Sequence, residues 1–367
     1  SSHGLVGAAC RHIVQRSTVY VRQIMPLELM MKALCVRGLD ADRVVRVEEV
    51  PVPVPRAGEV LVRMLRAGIC TTDREIAKGY LPFEGVLGHE LLGMAENGRF
   101  AGERVVADIN ILCGSCKTCN IKETDWKSKS RRRNHCSHRE CLGIHTRNGC
   151  IAEYACLPEE NLHAVPSSLP DDIAVFAEPL AAALRIGEQE LVGSSDDVVI
   201  LGDGKLALLV AEVLFRLAGS VTVVGRHHEK MALLPSSVVT LLQSEAQARR
   251  QSEDSFVFDV AVDATGSPES LQAAAELVRP MGTVILKTTC AGHTTFDASL
   301  QATVKEMCII GSRCGPVDEA LKFMEKHTAE TDLNLHKYIT AAYPLQEARA
   351  AFDKAVERGS LKVQVTM

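Results

Sequence analysis

Apolar positions recur with a period of two through much of residues 31–65. "KALCVRG", "RVVRVEEVPVPVP" and "GEVLVRMLRAG" alternate valine and leucine with charged residues and are broken by prolines, which predicts short antiparallel strands. "ERVVADIN" and "CIAEYACLP" continue the pattern. Near Pro179 the period changes, and "EPLAAALRIGEQEL" reads as a helix. "DDVVILGDGKLALLVAEVLFRLAGSVTVVGR" then reads strand, glycine turn, helix, strand, with Glu212 and Arg216 interrupting the apolar run at amphipathic spacing. "FDVAVDATG", helical "PESLQAAAELVRP" and a strand at "GTVILKTT" keep strands and helices alternating, which implies a parallel doubly wound sheet. The tail, "YITAAYPLQEARAAFDKAVERGSLKVQVTM", reads as helix then strand. The fold class is therefore α/β: a β-rich first domain and a doubly wound parallel sheet.

Length supports two domains, since 367 residues exceed what one core usually holds. A net charge of -5 gives no general pull toward nucleic acid or anionic membrane. No uninterrupted apolar run approaches the roughly 18 residues of a membrane span. Thirteen cysteines are many, but Cys113, Cys116 and Cys119 cluster as thiolate metal ligands do, not as a disulfide framework. Cys35, Cys156, Cys290 and Cys308 read as core thiols. The first acidic residue is Glu28, after Arg11, Arg16 and Arg22, so the start resembles part of an organelle transit peptide or is an extension before Met25, Met30 or Met31. The basic run "KSKSRRR" at 127–133 reads as a solvated loop, with phosphate or an acidic partner as the alternative; with only Trp126 nearby it does not make a nucleic-acid protein.

In "GDGKLA", Gly202 and Gly204 follow an apolar strand and open a helix. Glycine allows the turn and lets backbone approach a pyrophosphate, while the helix start supplies free N–H groups. Ala207 takes the third place of the pattern, and Lys205 and Leu206 complete the loop. A purely structural strand–helix turn is the plain alternative. An NAD site usually has an acid about 20 residues past the glycines. Gly225 stands there, followed by Arg226, and a guanidinium suits a 2′-phosphate, with Lys230, His227 and His228 adding positive charge, so NADP is favoured over NAD.

In "GVLGHELLG", His89 and Glu90 sit in an apolar frame that asks for a partner. Cys70 in "GICTTD" and Glu178 in "FAEPLA" supply further zinc-ligand types. Singly, His89 also reads as a satisfied core histidine, Glu178 as a helix-start charge and Cys70 as a small core residue. Taken with "CGSCKTC…HC" and "LGDGKLALL", in this order, these motifs resemble the zinc-containing medium-chain dehydrogenase/reductase family over nearly all of residues 31–367.

The resemblance implies a GroES-like catalytic domain at 31–185 after an extension at 1–30, a Rossmann domain at 186–314, and a return to the catalytic domain at 315–367. It implies Cys70, His89 and Glu178 as catalytic zinc ligands, Glu90 as a ligand or close neighbour, and Thr72 as the hydroxyl that passes the substrate proton, with Asp73 orienting the loop. Cys113, Cys116, Cys119 and Cys136 match the family's structural zinc lobe within 113–141. The family's fourth cysteine falls about seven residues past the third; here sixteen residues intervene, with Cys141 as a spare ligand, and a longer loop costs little entropy. Thr265 and Gly266 match cofactor contacts, and Arg313 in "GSRCG" faces substrate or cofactor or is structural. The implied activity is zinc-dependent hydride transfer between a small-molecule secondary alcohol, polyol or sugar and NAD(P), in an intracellular homo-dimer or homo-tetramer, cytoplasmic or organellar. The alternatives are a dehydrogenase-like scaffold subunit of a larger assembly and a zinc-free quinone reductase relative, the latter disfavoured by Cys70, His89 and the cysteine lobe.

Overall fold

In a computed structural model, residues 29–38, 42–120, 133–189, 191–252, 257–290, 292–330 and 332–367 are described. The arginine-containing stretch before Leu29 and residues 127–132 of the basic run lie outside them.

The first sheet is organised by the strand Glu59–Ile69, which pairs antiparallel with Tyr154–Pro158, Glu90–Ala95 and Lys362–Thr366. Its alternation is the reason: Val60, Val62 and Met64 point inward and join Leu91, Leu157, Val363 and Val365 in one core. Lys362–Thr366 arrives from the far end of the chain and brings Lys362 and Gln364, both fully buried, into the sheet.

The second sheet is parallel and six-stranded, in the order Val239–Leu242, Ser220–Gly225, Asp197–Leu201, Phe258–Asp263, Val278–Leu286, Cys308–Gly311. Its central strands are apolar on both faces because helices cover both sides. Strand order reverses beside Asp197–Leu201, and a ligand crevice forms at the carboxyl ends at such a point. Gly202 follows that strand with φ 116°, and a Cβ there would lie 2.9 Å from the Ala264 carbonyl oxygen, so the turn needs glycine.

Glu212, which interrupts the apolar run of its helix, is buried and held by the Tyr338 hydroxyl at 2.6 Å and Lys337 Nζ at 2.7 Å. Three expectations need correction. The strand expected at Gly282 starts at Val278, where the helix Ser270–Leu277 stops and Met281 takes a positive φ of 61°. The tail carries a further strand, Ile339–Pro344, which pairs parallel with Lys362–Thr366. Cys35 and Cys156 are core thiols, but Cys290 is half-buried and Cys308 is exposed on the strand that ends the parallel sheet. No helix among the described residues is long and apolar enough to cross a membrane.

Candidate active site

Asp73 is the organiser of the first ligand group. It sits in the first turn of the helix Thr71–Ala77, fully buried. Its Oδ2 accepts from the Cys70 amide at 2.8 Å and its Oδ1 from the Gly88 amide at 3.1 Å. One carboxylate therefore ties together the two segments that carry Cys70 and His89. His89 Nδ1 lies 3.4 Å from Asp73 Oδ1 but forms no hydrogen bond, leaving a buried polar atom without a partner. Burial alone would lower the His89 pKa; the charges of Asp73 and Cys70 outweigh it and hold the ring well above its ordinary value. Thr72 lies at the same corner, with Oγ1 3.7 Å from Cys70 Sγ.

Cys70, His89 and Glu90 each offer a ligand atom within 4.8 Å of the others. The donor set, one thiolate, one imidazole and one carboxylate, fits a zinc ion. Glu90 has a competing partner: Lys362 Nζ forms an ion pair with its Oε2, both side chains being excluded from solvent. This suits Glu90 as a charge next to the ligands. Glu178 stands outside the three-residue group, at the start of the helix Ala177–Glu188, close enough for His89 to act on its charge. Burial pushes its carboxyl up to about 7.

Glu178 opens onto a small recess with room for about one water-sized group (≈ 10 Å³), lined also by Asp108, Asn110, Arg133, Asn134 and Cys314. Asn110 Nδ2 donates to Asn134 Oδ1 at 3.0 Å, and Asn134 Nδ2 donates to the Cys314 carbonyl at 2.8 Å. That chain fixes both amides and leaves Asn110 Oδ1 and Arg133 Nη1 buried without hydrogen-bond partners. Arg133, the last residue of the basic run, is thus folded inward, 3.4 Å from Asp108 Oδ2.

Cys113, Cys116, Cys119 and Cys136 converge despite the long insertion: Cys116 Sγ lies 3.4 Å from Cys119 and 3.9 Å from Cys136. Hydrogen bonds from Ser115 lower the Cys113 thiol to about 5, the Ser137 amide helps bring Cys116 to about 7, and burial raises Cys119 to about 12. Four gathered sulfurs, some thiolate at neutral pH, fit a closed zinc site. The spare Cys141 does not join them; it is buried in the strand Glu140–Leu142.

On the nucleotide side, Gly204 caps the helix Lys205–Leu214. Lys205 Nζ reaches across to the Ile69 carbonyl at 2.6 Å, next to Cys70, whereas Leu206 packs on the core. Thr265 and Gly266 follow the strand Phe258–Asp263; the Thr265 hydroxyl donates to Asp263 Oδ1 at 2.9 Å. Arg226 is exposed at the end of Ser220–Gly225. Arg313 Nη1 donates to the Asn134 carbonyl at 2.9 Å. Sequence reasoning missed Lys362, Asn110 and Lys287, a lysine buried beside Arg313. Their one local signal is a polar residue set among strand-forming apolar neighbours.

Residues 56–167 match the model of the alcohol dehydrogenase GroES-like domain. The chain is 28% identical over 337 residues to D-arabitol-phosphate dehydrogenase of Enterococcus avium, covering 86% of this chain and 92% of that protein. It is 26% identical over 342 residues to sorbitol dehydrogenase of Halalkalibacterium halodurans, covering 87% and 95%. The fold superposes with a TM-score of 0.79 on a protein described as a zinc-binding dehydrogenase from Sinorhizobium meliloti 1021, bound to NADP, at 25% identity over 92% of this chain and 100% of that one.

Proposed function

Since the chain belongs to the zinc-containing medium-chain dehydrogenase/reductase family, we propose that it is a zinc-dependent alcohol dehydrogenase. Its substrate in this reading is a polyol, sugar or related secondary alcohol, and its acceptor a nicotinamide dinucleotide. The observation that carries it is the meeting of Cys70, His89 and Glu90 beside Lys205 of the glycine loop. Residues 31–185 and 315–367 form the catalytic domain and 186–314 the cofactor domain. A homo-dimer or homo-tetramer belongs to the same reading and is checked by light scattering.

A zinc ion on Cys70, His89 and a glutamate, Glu90 or Glu178, would lower the pKa of an alcohol hydroxyl, and a nicotinamide would take its hydride. Thr72 receives the hydroxyl proton and passes it toward solvent. Asp73 holds the Cys70 and His89 segments in place, so little reorganisation is needed on binding. Lys362 neutralises Glu90. Gly202, Gly204, Thr265 and Gly266 bring backbone close to the dinucleotide.

The recess beside Glu178 favours a hydroxylated substrate. Asn110 Oδ1 is buried without a donor. A hydroxyl satisfies it, and a methylene does not.

Metal analysis and a polyol panel on protein purified without added metal or chelator test the proposal. About two zinc ions per chain are expected, one for each ligand group, with turnover dependent on NAD(P). Cys70→Ala is expected to lose the catalytic ion and roughly a hundredfold or more of activity. Folded, zinc-free protein that still binds NADH overturns the zinc mechanism.

A further inference from the structure

The strand Ser220–Gly225 ends without the acidic residue that an adenine ribose usually meets, yet a carboxylate occupies that place. It comes from the glycine loop. Asp203, between Gly202 and Gly204, is 9% exposed and turns its side chain toward the end of the strand. Its Oδ2 accepts from the Arg226 amide at 2.6 Å, the His227 amide at 2.6 Å and His227 Nδ1 at 3.0 Å. Gly225 makes the room: a Cβ there would lie 2.7 Å from Asp203 Cβ and 2.8 Å from its Oδ2.

Gly225 therefore has a cause other than a phosphate. It is needed because a carboxylate from a neighbouring turn fills the space that its own side chain would take. Hydrogen bonds from the Arg226 and His227 amides outweigh burial and hold Asp203 below the usual carboxylate range, so it is ionised at neutral pH.

We infer that Asp203 is the residue that selects the dinucleotide, and that it selects NAD over NADP. The inference rests on the nicotinamide-dependent reading given above. A 2′-phosphate would need the amides of Arg226 and His227, which Asp203 already engages, and would bring its charge against a fixed carboxylate. A 2′-hydroxyl meets no such conflict, because Asp203 Oδ1 takes no part in the three bonds and accepts it. This reverses the preference expected from Gly225 and Arg226 alone. The loop carboxylate takes the part that a strand-end acid plays elsewhere, by a different route through the chain.

The test is a fluorescence titration of the full-length protein with NADH and with NADPH, comparing the wild type with Asp203→Asn. NADH should bind the wild type about tenfold or more tightly than NADPH, and the variant should narrow that ratio by about tenfold, mainly by gaining NADPH. Should the variant fail to fold, thermal shifts of the wild type with 5′-ADP and 2′,5′-ADP ask the same question, and 5′-ADP should give the larger rise. Tighter NADPH than NADH in the wild type, a ratio that Asp203→Asn leaves unmoved, or a larger rise with 2′,5′-ADP overturns the inference alone. A wild type that is folded and binds neither dinucleotide overturns the dehydrogenase reading, and the inference with it.

Discussion

Lys287 stands at the carboxyl end of the strand Val278–Leu286 with its ammonium out of water. Both of its acceptors, Ser312 Oγ at 3.2 Å and the Arg313 carbonyl at 2.6 Å, are uncharged. Burial pulls its pKa from 10.5 to about 7. In the unfolded chain the lysine keeps its proton up to pH 10.5, while in the fold it gives it up near 7, so the unfolded state binds more protons between these values. Stability contributed at this position therefore rises with pH across that window, and its cost is full below 7. Lys287→Met is expected to stabilise the protein by on the order of 1 kcal/mol or more at pH 6.5, with the gain shrinking at pH 9.5. Urea unfolding at both pH values measures this, and a gain that does not depend on pH would show that the ammonium is not the source. Lys362, also excluded from solvent, lies instead against the Glu90 carboxylate, which offsets the cost of burying either group alone.

At the scale of an element, the cysteine lobe shows how a loop can grow without losing its ligands. Sixteen residues separate Cys119 from Cys136, against about six between the matching cysteines of the family. Loop-closure entropy grows only with the logarithm of length, so the extra residues cost about 0.9 kcal/mol. Four thiolates on a zinc ion would outweigh that by a wide margin. Cys136→Ser is expected to reduce zinc from about two ions per chain to about one and to expose the lobe to limited proteolysis, while the group at Cys70 and His89 keeps its metal. Zinc analysis with and without protease reads both effects; unchanged zinc content would mean that the lobe is not a zinc site.

Across the whole molecule, the two sheets meet where their chemistry must meet. Lys205 belongs to the nucleotide loop, yet its Nζ donates to the carbonyl of Ile69, the residue before Cys70. Burial and the neighbouring Lys362 lower its pKa, so holding the ammonium here carries a cost that a bound anionic cofactor would offset. Lys205→Met is expected to weaken NADH binding about tenfold and to reduce the rise in Tm at a fixed NADH concentration in proportion. Fluorescence titration and a thermal melt check the pair; an unchanged affinity would make Lys205 a structural link only.

Much of this was legible before any coordinates. Strand and helix periods placed the two sheets, and spacing marked Cys70, His89 and the four lobe cysteines as groups that the fold brings together. All of these rest on near neighbours along the chain. The rest depends on pairs far apart in sequence: Lys362 with Glu90, Asn110 with Asn134 and Cys314, Arg133 with Asp108, and Asp203 with the backbone after Gly225. A residue's own neighbours do not say which strand will lie beside it, nor which polar group will be left without water and need a partner. Composition and spacing thus determined the chemistry available to this protein, a thiolate, an imidazole, carboxylates and a nucleotide loop. Packing alone decided which charges are paired, which polar atoms stay free, and which carboxylate fills the space beside Gly225, because burial turns a polar group from a solvated one into one that must be satisfied by whatever the fold brings near.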